Sequence, residues 1–356
     1  MKILIAGDDF IPASTFQKYL EERLSKMVKD LEFRAFDTGL EGMPRKKLPD
    51  VNEYWGRPQD LIERIEGVEI LLVSFAPVTK QVIAAGKNLR LIGCSRGGPV
   101  NVNVEAATSR GIPVLYTPGR NADAVADFTF GLILALVRNI PKAELFVRSG
   151  RWRSPKEDTF EKPTGPELTG RTIGIIGFGE VGSRVGMRAT GFKMNILVYD
   201  PYISKEKVET IGGKMVDLKT LMSESDIITL HLRLPPGVKG FIGAEQLAWM
   251  KKTAYLINTS RGVALDEKAL YDALKKRRIA GAALDVYEKE PISSNNPLLG
   301  LDNVILTPHV AGISTDIPVR SCRMLAEDVG RFLKGEKPLH VINPSALKRT
   351  SVFSNF

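Results

Sequence analysis

Three side chains could do chemistry together if a fold brought them to one place. His309 is one of only three histidines in the chain. It stands in Thr307-Pro308-His309-Val310-Ala311-Gly312, after an apolar run and before small residues that leave room for a ligand. An imidazole there can give up a proton near neutral pH. Arg261 stands in Asn258-Thr259-Ser260-Arg261-Gly262, also at the end of an apolar run. Its planar fork suits a carboxylate and can polarise a carbonyl. Glu290 closes Asp285-Val286-Tyr287-Glu288-Lys289-Glu290-Pro291, and a carboxylate beside the imidazole would orient the ring and favour its protonated form. A lone histidine is more often structural, so the argument rests on the company it keeps. Together the three groups offer what reduction of a 2-oxo acid needs: a grip on the carboxylate, a proton for the developing alkoxide, and a support for the proton donor.

A hydride carrier is written elsewhere in the chain. Gly177-Phe178-Gly179-Glu180-Val181-Gly182 fits the G-x-G-x-x-G pattern, and it follows an apolar run and opens a helical stretch, as the pattern requires. The first glycine permits a tight turn, the second lets backbone approach a pyrophosphate, and the third lets helix and strand pack closely. Asp200 closes the next strand. A carboxylate there can accept ribose hydroxyls and would repel a 2′-phosphate, and no arginine follows it, so NAD is expected rather than NADP.

These segments need strands to end where they begin. Residues 2–7, 69–74, 89–95 and 112–117 read as strands, with helical stretches at 13–29 and 79–88 between them. A second series starts at 171–177, with a helix at 180–190 and strands at 194–200, 226–232, 253–259, 279–286 and 303–309. This is the βαβ rhythm of parallel sheets. It places Arg261, Asp285 and His309 at the carboxyl ends of strands, the edge where open parallel sheets bind ligands. Residues 121–140 read as one long helix, with Asn121 as N-cap, Asp123 and Asp127 near its start, and Pro141 just past its end. Residues 36–60 read as a loop and 149–170 as a connector, with Trp152 in it as a packing residue. A final helix is expected over 316–334, then a tail whose last dozen residues are unstructured.

The combination of 177–182, Asp200, 258–262, 285–291 and 307–312 resembles the D-isomer-specific 2-hydroxyacid dehydrogenase family. The resemblance runs from the first strand to about residue 334. It implies two doubly wound α/β domains, with a Rossmann NAD-binding domain (119–315) inserted into a flavodoxin-like substrate domain (1–118 and 316–356). The crossings near Pro118-Gly119 and Gly312-Ile313 would act as hinges. It gives Arg261, Glu290 and His309 the catalytic roles and Asp285 a contact with the nicotinamide amide. Glu180, Val181, Leu232, Thr259 and 310–312 would line the cofactor through their backbones. Ser95-Arg96-Gly97-Gly98 resembles the family's glycine-rich substrate loop, whose amides receive the substrate carboxylate. Residues 121–140 resemble the helix that forms much of a homodimer contact, so a homodimer through this region is implied. Val100 and Asn103 stand where the family usually has Asp, Asp127 where it often has Glu, and Arg233 where it often has Pro. Arg233 reads as a solvated surface residue. The implied reaction moves a hydride between NAD(H) and C2 of a small D-2-hydroxy or 2-oxo acid. A cofactor-sensing corepressor and a phosphite dehydrogenase on the same scaffold are the rival readings. Formate is disfavoured because its enzymes carry Gln where Glu290 stands.

Composition bounds the rest. The chain has 356 residues, enough for two domains at about 150 each. Its formal net charge is +9, but the basic residues are scattered, so no nucleic-acid partner is expected. Cys94 and Cys322 show neither zinc spacing nor a disulfide framework, so no metal is expected and a reducing, cytoplasmic setting is. No apolar run reaches the ~18–20 residues that span a bilayer, and the N-terminus reads as a strand rather than a signal peptide, so no membrane partner is expected.

Overall fold

The computed structural model describes residues 1–39, 48–152, 165–235 and 237–349. The chain divides into two compact units, Met1–Arg120 with Ser314–Phe356, and Asn121–Ile313. The divisions fall at 120/121 and 313/314, where the sequence suggested 118/119 and 315/316.

The first unit holds β1 (Lys2–Asp8), β2 (Glu32–Thr38), β3 (Ile70–Val73), β4 (Leu91–Cys94) and β5 (Val114–Leu115). All pairings are parallel, in the order β2-β1-β3-β4-β5. The inner strands are apolar on both faces because helices cover both sides. Helix Ala13–Leu24 puts Phe16, Leu20 and Leu24 into one core cluster with Ile3 and Ile5. The returning helix Ile317–Leu333 adds Leu325, Val329 and Phe332 to that cluster, and Arg23 pairs with Glu327 at 2.9 Å between the two helices. The unit therefore needs both chain segments to close its core.

The second unit holds β6 (Thr172–Ile176), β7 (Asn195–Tyr199), β8 (Lys214–Met215), β9 (Ile227–Leu230), β10 (Tyr255–Asn258), β11 (Gly281–Leu284) and β12 (Val304–Leu306). They form a parallel sheet in the order β12-β11-β10-β9-β6-β7-β8. The order reverses between β6 and β9, and such a switch point opens a ligand crevice at the carboxyl ends of the strands. Helix Glu180–Gly191 follows β6 and lies along helix Ala122–Val137. Arg184 meets Asp123 at 3.1 Å, and Arg188 meets Asp127 at 2.7 Å.

Five readings are corrected. Residues 36–38 belong to β2, and Pro58–Ile62 is a short helix, so 36–60 is not all loop; 40–47 lie outside the described residues. The long helix stops at Val137, Asn139 takes a left-handed φ of 52°, and a second helix, Ile140–Arg148, carries Pro141 in its first turn, where proline is tolerated. Asn121 stands at the cap position without a capping hydrogen bond. Trp152 is 65% exposed rather than packed. The tail is ordered further than expected: Pro344–Arg349 is a 3-10 helix that buries Ala346 and puts Leu347 into the core cluster of the first unit, so the last dozen residues are not all unstructured. Residues 153–164 of the connector and 350–356 lie outside the described residues.

Candidate active site

β10, β11 and β12 end side by side in the second unit, and the three chemical segments begin there. The turn after β10 is held by Asn258. Its Oδ1 accepts from the Ser260 amide at 3.0 Å and hydroxyl at 2.8 Å, and its Nδ2 donates to the Arg261 carbonyl at 3.0 Å. Arg261 is exposed, donates once to the Ser260 carbonyl at 2.7 Å, and has no carboxylate partner among the described residues. Its charge is open to an anion. Gly262 lies against the next turn so closely that a Cβ would stand 1.8 Å from the Tyr287 carbonyl oxygen and 2.5 Å from the Glu288 nitrogen. Only glycine lets the arginine segment and the glutamate segment touch.

The Glu290 carboxylate is fixed at both oxygens. Oε1 accepts from the Tyr287 amide at 3.1 Å, and Oε2 meets His309 Nδ1 at 2.7 Å. The Nε2 face of the ring is then the one free to hand a proton outward. His309 is about half exposed and has a left-handed φ of 55°, a backbone uncommon outside glycine, though histidine takes it more readily than most residues, and one that neighbours can hold.

Asp285 imposes it. The carboxylate is 1% exposed. Oδ1 accepts from the Thr307 hydroxyl at 2.6 Å and the Val310 amide at 3.0 Å, and Oδ2 accepts from the Ala311 amide at 2.8 Å. The Tyr287 hydroxyl donates to the Thr307 carbonyl at 2.8 Å. Burial, with the Asp285 charge beside it, pushes that hydroxyl up to about 12, so it stays a donor. Asp285 therefore staples the histidine loop. The resemblance pointed to a cofactor contact for it and gave no sign of this work.

The glycine turn after β6 fits a dinucleotide pyrophosphate. Gly177 has φ 88°, and a Cβ on it would stand 2.7 Å from the His231 carbonyl and 2.8 Å from the Leu232 nitrogen. Gly179 has nothing within 4 Å, which leaves the turn open. A Cβ on Gly182 would stand 2.0 Å from the Gly177 oxygen, so helix and strand can pack only without one. The first-turn amides of helix Glu180–Gly191 lack acceptors within the helix and face the same opening. Glu180 turns its side chain to Arg184 at 2.7 Å, and Val181 packs partly against the core. Asp200 accepts from the Phe178 amide at 2.7 Å and the Tyr202 amide at 2.9 Å, which holds the carboxylate at the turn. The Thr259 hydroxyl bonds Thr129 at 2.9 Å, and a Cβ on Gly312 would stand 2.6 Å from the Asn121 amide nitrogen. Both of these residues serve packing against helix Ala122–Val137. Arg233 is exposed. No metal-binding cluster occurs among the described residues.

In the first unit, the turn after β4 presents Gly97 and Gly98. Their amides donate to no acceptor among the described residues, and a Cβ on Gly98 would meet nothing within 4 Å. Arg96 is occupied by Glu53, a residue that carries no motif and was not legible as a partner.

A Rossmann unit and a flavodoxin-like unit, with a glycine turn and an Arg–Glu–His set on the first of them, define a dinucleotide-dependent dehydrogenase scaffold. Comparison makes this specific. Residues 130–311 match the NAD binding domain of the D-isomer specific 2-hydroxyacid dehydrogenases, and the chain belongs to that family. A glyoxylate reductase from Korarchaeum cryptofilum is 40% identical over 329 residues, 92% of this chain and 94% of that protein. A D-3-phosphoglycerate dehydrogenase from Archaeoglobus fulgidus is 42% identical over 286 residues, 80% of this chain. This chain spans only about half of that relative, 53%. The structure of a D-lactate dehydrogenase from Aquifex aeolicus, complexed with NAD and lactic acid, is 25% identical and covers 96% of this chain and 99% of its own, with a TM-score of 0.67.

Proposed function

We propose that this chain reduces a small 2-oxo acid to the D-2-hydroxy acid, or runs the reverse reaction, using NAD(H). The observation that carries the reading is the 2.7 Å contact between His309 Nδ1 and Glu290, one glycine packing contact away from an arginine with no carboxylate partner among the described residues. When bound, the nicotinamide supplies the hydride for C2. Arg261 takes the substrate carboxylate and draws charge from the adjacent carbonyl. His309 gives its proton to the oxygen at C2 as that oxygen becomes an alkoxide. Glu290 keeps Nδ1 engaged, so the proton leaves from Nε2, and it stabilises the ring while protonated. In the first unit the free amides of Gly97 and Gly98 are the donors suited to a carboxylate. Asp200 supports NAD over NADP, since a 2′-phosphate would meet its charge.

The exposed apolar residues Ile140, Leu145, Val147 and Trp152 support a homodimer contact in this region, because helix Ile140–Arg148 buries none of its residues within the chain. The two buried free cysteines agree with a reducing compartment, and we place the protein in the cytoplasm; fractionation of cells with an antibody to the chain checks this. The test of function is oxidation of NADH and NADPH by purified protein with glyoxylate, hydroxypyruvate, pyruvate and phosphite-driven reduction of NAD as separate arms. Turnover with a 2-oxo acid and NADH is expected. Activity confined to phosphite, or none at all, would contradict the reading.

A further inference from the structure

The second unit has a cavity at the edge of its sheet opposite to the chemistry. It measures about 430 Å³, within the range that holds small ligands. Arg171 stands just before β6, Asp226 just before β9, Tyr255 opens β10 and Ala280 stands just before β11, and all four line the cavity. These strands are neighbours in the order β11-β10-β9-β6, so their starts make one continuous edge. Three gaps of about 4.8 Å give it a length of about 14 Å. Arg261 and Asp285 follow the far ends of β10 and β11, so the cavity is separate from the candidate active site.

The lining is of two kinds. Buried Leu168, half-buried Ala280 and the half-buried Tyr255 ring make an apolar floor. Burial pushes the Tyr255 hydroxyl above the usual phenol range, so it stays a donor, and it makes no hydrogen bond among the described residues. The rim is basic. Two short runs, Lys251-Lys252 and Lys275 to Arg278, stand before β10 and β11. Part of their charge has a structural use. Lys251 Nζ meets Asp226 at 2.9 Å, Arg277 meets Asp302 at 2.6 Å, and Arg278 donates to the Met250 carbonyl at 3.1 Å. Asp226 also accepts from the Thr172 amide at 2.9 Å, so both its oxygens are engaged. Arg171 and Lys252 are exposed on the lining and have no carboxylate partner among the described residues. Against these two unmatched cations the lining sets one unmatched acid, Glu167.

We propose that this cavity binds a small molecule with a flat apolar body and one anionic group, an aromatic or heteroaromatic acid. The body lies on Leu168, Ala280 and the Tyr255 ring. The anion takes Arg171, Lys252 and the Tyr255 hydroxyl. A cation of the same shape would set like charges together. The dinucleotide turn lies at the carboxyl edge of the same sheet, so this ligand does not compete with NAD.

The test is fluorescence titration of the full chain with anilinonaphthalene sulfonate, a flat apolar body carrying one anion, with NAD at saturation so that the dinucleotide turn is occupied. One site per chain is expected. Arg171→Ala combined with Lys252→Ala should weaken it by about tenfold, because two partly exposed charge contacts are lost. Anilinonaphthalene, the same body without the sulfonate, should bind the wild type about tenfold more weakly, which reads the preference for an anion without any variant. Absence of binding in the presence of NAD overturns the proposal. So does unchanged affinity in the double variant, or equal affinity of the wild type for the neutral body. Turnover plays no part in these readouts, so a failure of the oxidoreductase reading and a failure of this site are told apart.

Discussion

At the scale of single residues, the site separates groups that react from groups that hold. His309 is assigned the proton, and its replacement by Ala is expected to lower kcat by about 10²–10⁴-fold, the usual contribution of a positioned acid. Glu290→Gln keeps a hydrogen-bond acceptor for the ring but removes the charge, so steady-state rates should fall less than for His309→Ala. Asp285 holds. Its carboxylate fixes the 307–311 loop through three hydrogen bonds of 2.6, 3.0 and 2.8 Å. Asp285→Ala leaves the buried Ala311 amide and the half-buried Val310 amide and Thr307 hydroxyl without their acceptor, and a buried unmet group costs about 1–3 kcal/mol. A melting curve should show the loss, and kcat should fall although the side chain need not meet substrate. Unchanged stability in Asp285→Ala would contradict the stapling role.

At the scale of elements, close approach decides which turns can be neighbours. Gly262→Ala sets a methyl group 1.8 Å from the Tyr287 oxygen. The arginine turn and the glutamate turn must then separate, at a cost of about 1–3 kcal/mol or more. A lowered Tm together with lost activity is expected, whereas Gly179→Ala, with nothing within 4 Å, should keep the Tm and weaken NADH binding. The glycine pattern made this part of the site readable in advance, since its three positions have three different steric needs. The central strands were readable too, because burial on both faces demands continuous apolar runs such as Ile70–Val73. β2 was not. It lies at the sheet edge, its residues Glu32, Arg34 and Asp37 give no apolar run, and its pairing with β1 is made by backbone. The two-residue β8 is too short to leave a pattern. The break at Asn139 lies within a sequence apolar enough to read as one helix, and only the backbone shows the left-handed turn. Glu53 and the work of Asp285 depend on contacts across distant segments, which spacing along a chain does not encode.

At the scale of the whole molecule, two properties follow from what is buried and what is not. Burial pushes the His231 ring down to about 3, where it bonds the Thr229 hydroxyl at 2.8 Å. The unfolded chain would take up that proton near pH 6.5 while the folded chain does not until about pH 3, so stability drains away as the pH falls through this window. Thermal unfolding followed from neutral pH to pH 4 should show a smaller loss for His231→Gln than for the wild type; equal slopes would refute the linkage. The apolar strip of Ile140, Leu145 and Val147 should be covered by a second copy. Sedimentation should find a dimer, and Leu145→Lys with Val147→Lys should shift it toward monomer.

The central claim is that His309 passes the proton that accompanies hydride transfer. Single-turnover reduction of the preferred 2-oxo acid, measured in wild type and in His309→Ala after each has been shown to bind NADH with equal affinity, tests it most directly. The account predicts that the chemical step slows by at least about 100-fold in the variant while NADH affinity holds. A chemical step of wild-type speed in a His309→Ala protein that binds NADH normally would contradict it.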